Sequence, residues 1–202
     1  MPKVFINTFG YTETFALAPA VKLGISVGDR VVLLLPRDMV DERAKNAVEN
    51  LKRYLNALTS GGVSVECFEV QVKDFAEAVS SIRALLAREA SKGEVYVNLS
   101  GGMRALVLEA YAAAMLALAE GVSLKFTEVE LEGSAGSVEV APISAAIGLS
   151  GAARAALLAL RRANRELSAS ELAKASGLSK SSISRALTEL KLAGLVEVSR
   201  RG

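Results

Sequence analysis

The chain has 202 residues, 51% of them hydrophobic, with a formal net charge of +2, one cysteine and no histidine. That length and apolar content suit one full α/β domain plus a small second one, and they exclude a disordered chain. The absence of histidine excludes His-ligated metals, Ser-His triads and histidine acid–base catalysis, while the lone Cys67 excludes an intrachain disulfide and argues against a thiolate metal site.

In chain order, short apolar runs alternate with longer helical periods. Strands are predicted at 3–9, 30–36, 63–70 and 94–100, with helices near 13–23, 39–60, 74–91 and 103–120. The continuous run Val31-Val32-Leu33-Leu34-Leu35 suits a strand covered on both faces, so the predicted fold is α/β, a Rossmann-like doubly wound and mainly parallel sheet. Two later runs, Val122 to Glu132 and Ser137 to Ile143, flank Gly133-Ser134-Ala135-Gly136 and are predicted as an antiparallel hairpin added after the parallel part. Apolar stretches such as Val31 to Leu35 and Ala112 to Ala119 are too short or too alanine-rich to span a bilayer, and the N-terminus enters a strand without a signal-peptide pattern. The expected location is cytoplasmic, with no membrane contact.

The last quarter follows a different pattern. A helix over 152–164 with Leu157 and Leu160 inward is followed by a capping box at Ser168-Ala169-Ser170-Glu171, a turn at Gly177, and a third helix capped by Ser179 that runs to about Ala193. Gly194 is expected to end that helix, and Leu195 to Val198 read as the first strand of a wing tipped by Ser199-Arg200-Arg201-Gly202. A returning wing strand is not reached by Gly202, so the wing is expected to be minimal or cut short. The division expected is 1–143 for the first domain, 144–151 for a linker and 152–202 for a C-terminal winged helix-turn-helix domain. Residues 152–202 carry 10 Lys/Arg against 4 Asp/Glu, whereas residues 1–151 carry 14 against 18, so the basic character sits in the winged-helix segment. In its third helix Ile183, Leu187 and Leu190 recur at core spacing, which leaves Ser181, Ser184, Arg185 and Thr188 on the opposite stripe between Lys180 and Lys191. Together with Ser179, Arg200 and Arg201, these are the residues expected to meet double-stranded DNA.

The most informative stretch is Asn98-Leu99-Ser100-Gly101-Gly102-Met103-Arg104, where a buried strand stops at a Ser-Gly-Gly turn and enters an Ala/Leu-rich helix. Such a turn bends sharply and exposes the unpaired amides of a helix N-terminus, a geometry that suits an anion; a plain tight βα connection has the same spacing. A dinucleotide fingerprint is missing, because the first turn, Asn7-Thr8-Phe9-Gly10-Tyr11, has one glycine and the second strand ends at Pro36-Arg37. The Gly-Lys-Ser/Thr of a P-loop is missing as well.

The Ser-Gly-Gly-x-Arg turn after the fourth strand, joined to a C-terminal winged helix, resembles the CRISPR-associated Rossmann fold (CARF) transcriptional regulators of archaeal CRISPR–Cas antiviral defense. The resemblance implies a homodimer that binds cyclic oligoadenylate across its two-fold axis, with no other cofactor and no metal, and that binds promoter DNA. By this resemblance the ligand-binding residues are Thr8, Phe9, Gly10, Tyr11, Asn98, Ser100, Gly101, Gly102, Met103 and Arg104. A four-membered ring contains a two-fold axis that two equivalent half-sites can match, which favours cyclic tetra-adenylate. No dedicated base is visible, so a regulator without turnover is expected; the alternative is a metal-independent ring nuclease using Ser100, Arg104 and Tyr11.

Overall fold

The computed structural model describes residues 1–38, 42–131, 136–140, 149–193 and 195–197. The chain divides into two compact units, Met1–Pro142 and Ile143–Gly202. The first unit alternates β1 (Lys3–Thr8), α1 (Thr14–Lys22), β2 (Arg30–Pro36), α2 (Glu42–Thr59), β3 (Ser64–Val70), α3 (Phe75–Ala90), β4 (Glu94–Asn98), α4 (Arg104–Ala119) and β5 (Leu124–Phe126). These five strands form one parallel sheet in the order β3-β2-β1-β4-β5, with Ile6 level with Val32 on one side and Val97 on the other.

Strand alternation sends successive side chains to opposite faces, and each face buries its own set. Val4, Ile6, Val32, Leu34, Val95 and Val97 pack against Ile82, Leu85 and Leu86 of α3 and Leu106, Ala110 and Ala113 of α4. Phe5, Val31 and Leu33 pack against Ala16 and Ala20 of α1 and Leu51 and Leu55 of α2. Each large side chain so buried contributes about 1.5–3 kcal/mol, which is why the inner strands read as unbroken apolar runs. The doubly wound parallel architecture is the one the sequence predicts.

The run from Val122 to Glu132 does not form one hairpin arm. Its first part is β5, a parallel edge strand, and Thr127 N–H donates to the Val97 carbonyl at 3.0 Å to extend that pairing. Only the short β6 (Val129–Glu130) pairs antiparallel, with β7 (Ser137–Val138). A two-stranded hairpin is marginal by itself, whereas pairing with β4 also places Phe126 against Tyr111 of α4, ring centroids 6.3 Å apart. Residues 141–143 of the expected second arm, and 144–148 of the expected linker, lie outside the described residues.

The second unit contains α5 (Gly151–Ala163), α6 (Ala169–Ser176) and α7 (Lys180–Leu192). Its core joins Ala153, Ala156 and Ala159 of α5 to Leu172 of α6 and Ile183, Ala186 and Leu190 of α7. The residues of α5 expected inward, Leu157 and Leu160, are only half-buried; three alanines at i, i+3 and i+6 face the core because their small side chains let the helices approach. The capping box forms as expected: Ser168 Oγ accepts from Glu171 N–H while the Glu171 carboxylate accepts from Ser168 N–H at 2.8 Å. Leu195, Val196 and Glu197, expected to open a wing strand, lie in no strand. Leu195 N–H instead donates to the Leu190 carbonyl at 2.9 Å, since no second strand among the described residues offers a ladder. Helix α7 ends at a cap on Ala193. Gly194, Val198, Ser199, Arg200, Arg201 and Gly202 lie outside the described residues. Among the described residues no helix is long and apolar enough to cross a membrane.

Candidate functional site

The chain adds β2 and β3 on one side of β1, then β4 and β5 on the other, so the strand order reverses between β1 and β4. At such a reversal the loops leaving the two strands part and leave a crevice at their carboxyl ends. Here those loops are 9–13 and 99–103; with Thr8 and Asn98 at the ends of the strands before them and Arg104 at the start of α4, they carry the predicted ligand residues.

Three glycines press the loops together. A Cβ on Gly10 would lie 3.2 Å from the Cα and N of Gly102, one on Gly101 would lie 2.9 Å from the Thr8 carbonyl oxygen, and one on Gly102 would lie 3.2 Å from N and O of Phe9. Gly102 also has φ +85°, a conformation that disfavours any side chain. The first duty of these glycines is therefore contact between the two loops.

Beneath the seam, Asn98 is buried and fully engaged. Its Nδ2 donates to Asn7 Oδ1 at 2.8 Å and to the Phe15 carbonyl at 2.6 Å, while its Oδ1 accepts from Ser100 N–H at 3.1 Å. Thr8 is buried too, with its hydroxyl donating to the Asn98 carbonyl at 3.4 Å. Phe9 belongs to the α1–α2 core. Ser100 Oγ accepts from Glu130 N–H at 3.2 Å, tying the turn to β6. Thr8, Phe9, Asn98 and Ser100 thus lie in the floor, where they shape the crevice from inside. The rim consists of Gly10, Tyr11, Gly101, Gly102, Met103 and Arg104.

Met103 caps α4 with an extended backbone and no side-chain hydrogen bond, so the first amides of that helix are left without a capping side chain. Arg104 is exposed beside them and has no hydrogen-bond or ion-pair partner among the described residues. It does not pair with Glu109, which is buried with Oε2 unpartnered and whose carboxyl burial pushes above its ordinary range. A cavity of about 420 Å³ adjoins this helix start, lined by Gly101, Gly102, Arg104, Leu108 and Glu130 among others. A larger cavity of about 680 Å³ between α1 and β5–β7 holds Glu128, Glu130 and Glu139 against a single Lys22, itself paired to Glu128 at 2.9 Å; that charge does not suit an anion.

Arg43, in the first turn of α2, was not legible as a site residue. Its guanidinium lies 5.0 Å from the centroid of the Tyr11 ring, which is 46% exposed, so it brings a second cation to the rim. The only signal for it is topological: helices that follow parallel strands begin at the same sheet end. Among the described residues no group of three or more His, Cys, Asp or Glu is placed to hold a metal.

In the second unit, Lys180, Ser181, Ser184, Arg185, Thr188 and Lys191 are all exposed on α7. Ser179 caps the helix by accepting from Ser182 N–H at 3.2 Å, and Thr188 Oγ1 donates back to the Ser184 carbonyl at 3.0 Å. Glu189 faces the start of α5, where its carboxylate accepts from Ser150 N–H and Oγ at 2.6 and 2.7 Å; these bonds hold its carboxyl below the ordinary range. It therefore leaves the stripe around Arg185 basic.

A Rossmann-like unit with an anion-suited crevice, followed by a small helical unit with a basic, hydroxyl-bearing helix, defines a class of protein that couples a ligand domain to a DNA-binding domain. The chain belongs to the family described as the Csa3 CRISPR-associated Rossmann-like domain, whose model matches residues 3–141. Residues 147–202 match the MarR family, a winged-helix region, so the chain joins a CRISPR-associated Rossmann-like domain to a MarR-type winged-helix domain. Among solved structures it is similar to Enterococcus italicus Csm6 bound to cyclic hexa-2'-fluoro-hexa-dAMP, with a TM-score of 0.53 and 11% identity over 95% of this chain and 55% of that one. The chain thus spans about half of that protein's length, and at this identity the likeness is one of fold. No curated protein matches the chain.

Proposed function

We propose that the protein is a homodimeric regulator that binds a cyclic oligoadenylate, cyclic tetra-adenylate first, at the β1–β4 crevice, and promoter DNA through α7. The observation that carries this reading is Arg104, a guanidinium without a partner among the described residues, beside the uncapped start of α4. Backbone amides, a helix N-terminus and a fork of N–H donors together form a phosphate site. Tyr11, backed by Arg43, offers an aromatic face to an adenine. The ligand class is supported by the cyclic hexanucleotide bound to the Csm6 of similar fold.

The outward face of α4 supports the dimer. Leu108 is 64% and Leu116 48% exposed, and the helix carries no charge besides Arg104 and the buried Glu109. This apolar face begins at the crevice, since Leu108 lines the same cavity as Arg104. A two-fold axis along it would bring two crevices together, and a ring of four nucleotides would present each with the same half. The ring-nuclease alternative loses one of its three groups, because the Ser100 hydroxyl is committed to β6.

Calorimetric titration of the purified protein with cyclic tri-, tetra- and hexa-adenylate and with NAD, followed by chromatography of the recovered ligand, tests the reading. Binding of the tetra-adenylate at one ring per dimer with intact recovery is expected. Preference for NAD would sink the ligand assignment, and cleaved product would restore the nuclease.

A further inference from the structure

Helix α5 has a basic face of its own, separate from the stripe on α7. Its sequence, Gly151 to Ala163, contains three arginines and no Asp or Glu. Arg154, Leu158 and Arg161 recur at i, i+4 and i+7 with Arg162 beside them, so they share one side of the helix, and all four are exposed. The opposite side carries the buried Ala153, Ala156 and Ala159. Among the described residues none of the three arginines is paired with a carboxylate; the one hydrogen bond they make runs from Arg154 Nη2 to the Leu149 carbonyl at 3.5 Å. Arg165, just past the helix, is by contrast neutralised by Glu171 at 3.1 Å.

Helix electrostatics accounts for only part of this pattern. Arg161 and Arg162 stand in the last turn, where a cation is favoured, but Arg154 stands in the first turn, where it opposes the positive end of the helix dipole. A cation kept at a disfavoured position and in line with two others points to an external anion. Helices α5 and α7 turn Ala153, Ala156 and Ala159 on one and Ile183, Ala186 and Leu190 on the other into one core, so the α5 arginines and the Ser181–Arg185 stripe stand on different helices, each on the side away from those buried residues.

We propose that the α5 arginines form a second DNA-binding face that holds the phosphate backbone of another duplex segment while α7 reads the first. This rests on the reading of α7 as the operator-facing helix. The occupant follows from the chemistry. Arginine forks match phosphate oxygens, and the two helical turns from Arg154 to Arg161 rise about 10.5 Å, enough to set the outer arginines on separate phosphates of one backbone. Between them lie only alanines and leucines, which offer nothing to a base edge, so this face is indifferent to sequence.

The test uses the full chain, a bead-bound 30-base-pair mixed-sequence duplex and a second, fluorescent copy in solution. Wild-type protein is expected to retain the second duplex on the beads. The Arg154→Ala/Arg161→Ala/Arg162→Ala variant, with its fold checked by circular dichroism, is expected to retain at least tenfold less. The complementary Lys180→Ala/Arg185→Ala/Lys191→Ala variant is expected to keep residual binding by anisotropy, with a log–log salt slope of about −2 to −3 for three phosphate contacts. Arg154→Ala alone, which leaves the helix C-terminus unchanged, is expected to lower the wild-type slope by about one. Capture by the α5 variant equal to wild type, or complete loss of duplex binding in the α7 variant, overturns the second face. Loss of all binding in the α5 variant with full binding in the α7 variant would keep the α5 face and remove α7 from the reading of DNA.

Discussion

Arg104 and Glu109 lie five residues apart on one helix, and the fold gives them opposite surroundings, the first exposed and the second buried. Arg104→Ala is expected to weaken cyclic tetra-adenylate binding by about 1.5–3 kcal/mol, the scale of a charged hydrogen bond, with the melting temperature unchanged. Unaltered calorimetric affinity in the folded variant would place the phosphate elsewhere. Glu109 is a matter of stability. Burial raises its folded-state carboxyl above the ordinary value of 4.5, so the folded protein holds that proton more tightly than the unfolded chain does. The stabilisation is fully present below the unfolded value and is lost as pH rises through the folded one. Glu109→Gln should therefore raise the melting temperature at neutral pH and flatten its pH dependence, read from thermal melts between about pH 4 and 8; a variant that melts lower at neutral pH would mean that the carboxylate has a partner. In the sequence Arg104 stood out because it follows two glycines. Arg43 did not, because nothing near it in the chain marks its place over Tyr11.

At the scale of elements, the two glycine loops behave as one part. Gly102→Ala places a Cβ 3.2 Å from the Phe9 backbone at φ +85°, so a loss of about 1–3 kcal/mol in folding stability is expected, seen as a lowered denaturant midpoint. A fully stable variant with weakened ring binding would instead make the glycine a ligand contact only. In the second unit, Arg185→Ala and Ser181→Ala are expected to reduce discrimination between operator and mixed-sequence DNA by about 1–3 kcal/mol, while the basic termini of the stripe, Lys180 and Lys191, set overall affinity and salt slope. Equal losses on both DNAs would make α7 a phosphate contact. The inner strands were legible because unbroken apolar runs leave no other state. The edge strand β5 was not: only three residues long, it is fixed by hydrogen bonds to β4, sixteen helical residues of α4 away in sequence. The strand expected from Leu195 is not formed at Leu195–Glu197 for a related reason, since Leu195 finds its partner in Leu190 of the preceding helix, while Val198 to Gly202 of the expected wing lie outside the described residues.

For the whole molecule, sensing requires that the two binding events share free energy. A coupling of about 1–3 kcal/mol would change DNA affinity about 5- to 150-fold, and DNA must then change ring affinity by the same factor. Fluorescence anisotropy on promoter DNA at zero and saturating cyclic tetra-adenylate reads the first half, and calorimetry with and without DNA reads the second. Identical DNA affinities, with ring binding verified in the same sample, would leave two independent binders joined by a tether. The order of the units was legible from charge and capping alone, because 10 of the 24 Lys/Arg fall in residues 152–202.

The glycine seam also bears on kinetics. Two loops whose backbones touch at three points cannot part without first separating Gly101 from Thr8 and Gly102 from Phe9, and from below Asn98 ties Ser100 of one loop to Asn7 and Phe15, which flank the other. The crevice floor is therefore assembled before any ligand arrives, and little ordering remains to be done on capture. Ring association should follow a single fast phase whose rate scales with ligand concentration and falls with salt, as steering by Arg104 requires. The lifetime of the complex, rather than the rate of its formation, would then set how long a signal lasts after the messenger is gone.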